Sequence, residues 1–317
     1  MISQRFVWAP FSIRLGCAAC SCLLAAALAT ATAAAQPKPK TFATPDEASA
    51  ALIAAAERFD AAALQEILGP DGEGLVITED TVQDRNQAAA FAAQAREKKQ
   101  IVRDPSNPRV ATLTVGREDW PMPIPIVEKG GRWSFDSKRG RREILYRRIG
   151  RNELDAIELC RGYVEAQHEY ALDRHDGSLF NQYAQRIIST PGKQDGLAWK
   201  TADGKWEGPV SEGIARVIAE GYTSRYEPYH GYYFKVLKGQ GPSAPLGAMD
   251  YLVEGAMIGG FALVAAPADH GVTGVKTFII SHDGVVYEKD LGSKTVERFR
   301  EMELYDPDHT WHPVTEP

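Results

Sequence analysis

Apolar positions along this chain pass from helical spacing to strand alternation and then repeat the cycle. Thr44, Pro45, Asp46 and Glu47 read as a capping box with proline in the first turn, since the threonine hydroxyl satisfies an orphan amide while Glu47 reaches back toward the cap. Ala48, Leu52, Ile53 and Ala56 follow on one helical face. A short second helix is predicted over 61–68, stopped by Gly69, and a third over 84–99 with Ala88, Phe91, Ala92 and Ala95 at helical spacing. Alternation then marks strands at 109–115, 123–127 and 132–135, the last two separated by Gly130 and Gly131.

The second cycle opens with a long helix running on from Arg147, its stripe made by Ile149, Ala156, Ile157, Cys160, Tyr163, Val164 and Ala171. A short amphipathic run at 183–188 and a helical run at about 210–220 come next. Strands are predicted at 232–237, 260–264, 275–280 and 285–288, with His282, Asp283 and Gly284 as a hairpin turn because glycine accepts positive φ. Helices followed by an antiparallel meander, twice, imply an α+β protein of two domains, 44–137 and 138–317, with residues 36–43 as a linker. The expected junction is 137–148, where Lys138, Arg139, Arg141, Arg142, Arg147 and Arg148 crowd around a single acid, Glu143.

The first 35 residues have the pattern of a signal peptide: Arg5 and Arg14, an apolar core at 15–28, and Ala33, Ala34 and Ala35 before Gln36. An uncleaved anchor is the alternative, but the apolar core is short for a span and small residues follow it. Cleavage places the protein in the periplasm or outside the cell. Three of the four cysteines leave with that leader, so Cys160 stands alone and no internal disulfide can form. The leader carries two arginines and no acids, so the chain's 36 basic and 42 acidic residues become 34 and 42, a mature charge of about −8. That balance argues against a nucleic-acid partner. No apolar run after Gln36 is long enough to span a bilayer.

Several segments resemble an exported bacterial family catalogued as domain of unknown function 2950. They are residues 42–48, 120–125, 150–153, 228–234, 271–274 and 286–292, together covering nearly the whole mature chain. That membership implies no activity. The element order of the first half resembles the cone-shaped nuclear-transport-factor-like and cystatin-like folds, which imply a pocket. The second half is similar to the heads of type II secretion pseudopilins and type IV pilins, on the helix around Asn152 to Ile157, the segment Gly231 to Phe234, the Gly271 to Gly274 turn and the strand after Asp283 and Gly284. A pilin begins with a processed apolar helix. Here arginines and a whole domain precede the helix, so the resemblance implies a reused head rather than a filament subunit.

The chemistry-bearing candidates each carry a plainer reading. Tyr226, Tyr229, His230, Tyr232 and Tyr233 gather around Gly231, as an aromatic surface for sugar or peptide or as ordinary sheet core. Arg141 and Arg142 suit an anionic partner such as lipid headgroup or cell-wall polymer, or a solvated face paired with nearby carboxylates. Asp173 and Asp176 form an oxygen-rich loop in which calcium is possible, although the EF-hand ligand spacing is absent. Cys160 reads as structural, and Ser281, His282 and Asp283 as turn chemistry, since consecutive residues cannot relay a proton. His309 and His312 read as a docked tail, and Lys289 with Asp290 as an ion pair. The expectation is a non-catalytic protein with an interaction or envelope-assembly role, partnered by an envelope protein or cell-wall component and needing no cofactor. The alternatives are a glycan- or peptide-acting hydrolase, or a small-ligand binder using the first domain's pocket.

Overall fold

The computed structural model describes residues 38–76, 81–210 and 228–315. The leader, Tyr226 and most of the helical run expected at 210–220 lie outside the described residues. Helix α1 (Pro45–Glu57) starts as the capping box requires: Thr44 Oγ1 accepts the Glu47 amide at 3.1 Å, and Glu47 Oε2 accepts the Ala43 amide at 3.0 Å. Helix α2 (Ala61–Leu68) is capped by Asp60 and stopped at Gly69, whose φ of 67° is open to glycine at little cost. The chain is already folded before α1, since the Lys40 amide donates to Glu66 and Phe42 pairs with Trp133. The stretch expected as a linker to 43 thus ends at about Lys40.

After α3 (Thr81–Glu97) come β1 (Lys99–Asp104), β2 (Asn107–Val115), β3 (Trp120–Pro121), β4 (Ile126–Lys129) and β5 (Arg132–Phe135). They make an antiparallel sheet in the order β1, β2, β4, β5, with β3 also on β2. The helices cover it, and Leu52, Ile53, Leu64, Leu68, Leu113, Ile126 and Phe135 form the first core.

Helix α4 (Ser137–Tyr170) has 34 residues, about 50 Å at 1.5 Å per residue. It begins ten residues before the expected start at Arg147. The arginine-rich stretch is therefore no junction but the helix's first three turns, capped by Asp136, which accepts the Arg139 amide at 3.0 Å. Arginine and lysine are good helix formers, and the one glycine in 137–148, Gly140, is carried inside the helix where it packs on Ile124.

The amphipathic run at 183–188 contains β6 (Arg186–Ile188), which pairs in parallel with β7 (Gly196–Lys200); β8 (Trp206–Glu207) completes the small sheet. Gln167 on α4 takes both the amide and the carbonyl of Ala184 at 2.8 Å, fixing the chain that leads into β6. Next comes β9 (Tyr232–Leu237), then two short ribbons: β10 (Gly239–Gln240) with β11 (Met249–Asp250), and β12 (Leu252–Val253) with β13 (Ala256–Met257). The main strands β14 (Ala262–Pro267), β15 (Lys276–Ser281), β16 (Tyr287–Asp290) and β17 (His312–Pro313) form an antiparallel sheet with β9, in the order β17, β16, β15, β14, β9. Between β15 and β16, Gly284 has φ 76° and its amide donates to Ser281, as the predicted turn requires.

Helix α4 packs on β14 and β15, and α5 (Thr295–Glu301) packs on β14, so both faces of β14 are buried. The second core is built on Cys160, Tyr163, Leu237, Phe261, Val264, Phe278 and Tyr305. The protein is a mixture of helices and antiparallel sheets in which one helix serves both cores. Among the described residues, no helix is long and apolar enough to cross a membrane.

Candidate functional site

The aromatic segment is pressed against α4. A Cβ on Gly231 would stand 2.7 Å from Asn152 Nδ2 and 2.8 Å from Thr273 Cβ, so only glycine permits this approach. His230 just before it has φ 47°, and its Nδ1 lies 2.6 Å from Asp155 Oδ2 on α4. Tyr229 stacks on the imidazole with ring centres 4.3 Å apart. Asn152 and Glu153 extend the same attachment: Asn152 donates to the Thr273 carbonyl, and Glu153 Oε1 accepts the amides of Val275 and Lys276 at 2.8 and 3.0 Å.

Tyr229 and His230 edge a groove of about 470 Å³ whose walls include Leu159, Tyr163, Ile187, Leu197 and Phe234, with Asp155 and Glu158 the acids. An Asp–His pair fixes the imidazole's orientation. Among the groove's described residues, none is serine, threonine or cysteine; its side-chain hydroxyls are those of Tyr229, which stacks on His230, and of Tyr163, which bonds Gln167 and the Ala262 carbonyl. Tyr232, expected beside them as a binding residue, points the other way. It is buried, its hydroxyl donates to Lys276, and burial pushes its ionisation up. Tyr233 stacks on Phe299.

The remaining candidates are placed by local bonding. Arg141 donates to the carbonyls of Asp71 and Glu73, and Arg147 to Glu143 and to the Pro121 carbonyl while lying over Trp120. Two of the run's six basic residues, Arg141 and Arg147, therefore clamp α4 to the first core, whereas Arg142 is exposed. Cys160 is fully buried, and burial pushes its thiol up to about 12. Asp283 accepts the Val285 amide and the Tyr305 hydroxyl, bonds that fit its reading as a turn residue. Lys289 reaches Thr310, while Asp290 bonds His270 at 2.8 Å; neighbours on a strand face opposite ways, so the two do not pair. His312 lies in β17 on the sheet edge. Both Asp176 oxygens accept the Gln194 amide, and no group of three or more metal-ligating side chains occurs among the described residues.

One feature was missed in the sequence, the loop after α4, where Leu172 is 75% exposed, Leu179 84% and Phe180 50%. It is held firmly: Asn181 Nδ2 donates to the Ala171 and Leu172 carbonyls, Ser178 Oγ to Phe180, and His175 stacks on Tyr170 at 3.9 Å. Three large apolar residues in a polar loop were the available signal. In the first half, where the resemblance to cone-shaped folds implied a pocket, a cavity of about 710 Å³ lies between α3, α1 and the first sheet.

Two cores of helices on antiparallel sheet, joined by one continuous helix, define the class as α+β. The chain matches the family described as protein of unknown function DUF2950 over residues 39–314, and it belongs to that family. No curated protein and no solved structure matches it.

Proposed function

We propose that this chain is a non-catalytic protein of the bacterial envelope, exported by its leader, whose role is to dock another envelope protein through the loop at 171–182. The observation that carries the reading is the exposed trio Leu172, Leu179 and Phe180, presented by a loop whose backbone is already bonded in place. Large exposed apolar side chains on an ordered loop mark contact surfaces, and preorganisation lowers the entropy lost on association. The resemblance to pilin heads fits this role, since α4 lies along an antiparallel sheet while its earlier part contacts the 70–72 turn of the first half. On this reading residues 44–137 and 138–317 act as two modules braced by α4.

The mature chain keeps only Cys160, which is buried, so Leu179→Cys supplies a single exposed thiol for a photo-crosslinker. In intact envelopes this probe should give one discrete adduct, lost when Phe180→Ser is added. The same reagent at exposed Val102 should give none. A smear at both positions, or no adduct, would remove the docking reading. A hydrolase screen with turnover abolished by His230→Ala would replace it with an enzyme acting at the groove.

A further inference from the structure

We infer that the first core is a binding site for a single amphiphile, an apolar chain with a protonated amine head, separate from the docking loop. The cavity between α1, α3 and the first sheet has a volume of about 710 Å³, within the range of small-molecule sites. The space is open to solvent on one side, which gives a ligand a way in. Leu52, Leu64, Leu75, Phe91, Met122 and Ile124 give it apolar walls. Water in such walls makes few hydrogen bonds and is readily displaced by an aliphatic chain.

The charged lining selects the head group. Among the cavity's described residues, Asp84, Glu97 and Glu118 stand against one base, Arg117, which is paired with Glu97. Asp84 is only 5% exposed, and a carboxylate has enough lone-pair sites to take a ligand donor in addition to its bonds within the protein. An ammonium head thus meets opposite charge on entry. A carboxylate head meets like charge at a partly desolvated site, which is costly. Trp120 also lines the space, with the Arg147 guanidinium 5.5 Å above its ring, so α4 closes one side of the same chamber.

The test uses the mature chain from Gln36 onward with dodecylamine, dodecanol and laurate below their aggregation limits at pH 7, followed by calorimetry and thermal melts. Dodecylammonium should bind one to one and raise the melting temperature, with dodecanol and laurate each at least tenfold weaker. Ala88→Trp, which fills the cavity from a half-buried position on α3, should abolish binding while leaving the melt of the free protein within a few degrees. Asp84→Asn should erase most of the preference for the amine; if that variant does not fold, Glu118→Gln should reduce the preference severalfold. Absence of binding, laurate binding as tightly as the amine, or undiminished binding by Ala88→Trp would overturn the inference. Phe180→Ser should leave amine binding unchanged, so this site and the docking loop fail independently.

Discussion

The two cores use the same materials, helices laid over an antiparallel sheet, and fill the space between them differently. In the second core, Phe261 is fully buried and meets the rings of Tyr163, His168 and Tyr183 at 5.7, 5.6 and 4.8 Å. The buried hydroxyls of Tyr163, Tyr232, Tyr251 and Tyr305 all have hydrogen-bond partners there. In the first core, the aromatic on the covering helix α3, Phe91, is half-buried and edges an open cavity. The tight ring packing around Phe261 fixes geometry, which suits the scaffold for a docking loop, while the larger opening beside Phe91 keeps room for a guest. The largest test of this contrast is truncation. Phe261→Ala should cost about 3–5 kcal/mol in urea unfolding, and Phe91→Ala only about 1, since its removal extends space that already exists. Equal costs would show that the first core is as tightly packed as the second.

Helix α4 carries the same contrast along its length, through three glycines. Glycine inside a helix usually costs about 1 kcal/mol relative to alanine. At Gly150 and Gly162 an added Cβ meets nothing within 4 Å, so Gly150→Ala should stabilise by roughly 0.5–1 kcal/mol. At Gly140 the same Cβ would stand 2.6 Å from Ile124 Cγ1 and 3.2 Å from the Ile124 Cα, where the helix presses on the first core. Gly140→Ala should therefore destabilise by about 1–3 kcal/mol despite its better propensity. Opposite signs from one substitution in one helix would locate the joint. A stabilising Gly140→Ala would show that α4 only rests near the first core instead of being clamped to it.

Elements set by neighbouring residues were legible in the sequence. The capping box of α1, the glycine stop of α2, the hairpin turn at Gly284 and the alternation of β5 are local chemistry, and each lies where it was expected. Elements set by distant partners were not. Strand β1 is polar and largely exposed, so it has no burial pattern to show; its register on β2 defines it. Strand β6 is extended because Gln167 and β7 hold it. The arginine-rich turns of α4 resembled a junction because their partners, the carbonyls of Asp71, Glu73 and Pro121, are backbone groups that carry no signature in the sequence. The site suffered the same blindness: His230 and Asp155 are 75 residues apart, and no spacing rule joins them.

Local and distant support should also separate in acid, with the smallest effect expected. Asp104, in the β1–β2 hairpin of the first sheet, has its carboxyl held below the usual range by the Ser106 hydroxyl and amide two residues away. At Asp290 partial burial raises the carboxyl, but the Gly292 amide, the bond and charge of His270 and the charge of Lys276 outweigh it, leaving it lowered. A folded pKa below the unfolded value of about 3.9 gives stability present above that pH and lost as pH falls through the folded value. Asp290 is about half-exposed, so Asp290→Asn should cost well under 1 kcal/mol at pH 7, and the difference from the parent should shrink as pH drops below about 4. Asp290 pairs with Lys276 in the β15–β16 register and bonds His270 across 20 residues, so its loss should appear in global unfolding. Asp104→Asn should leave global unfolding unchanged and only speed amide exchange at Ser106. A global effect from Asp104→Asn would mean that the first sheet's hairpin is coupled to its core more tightly than its exposed strand suggests.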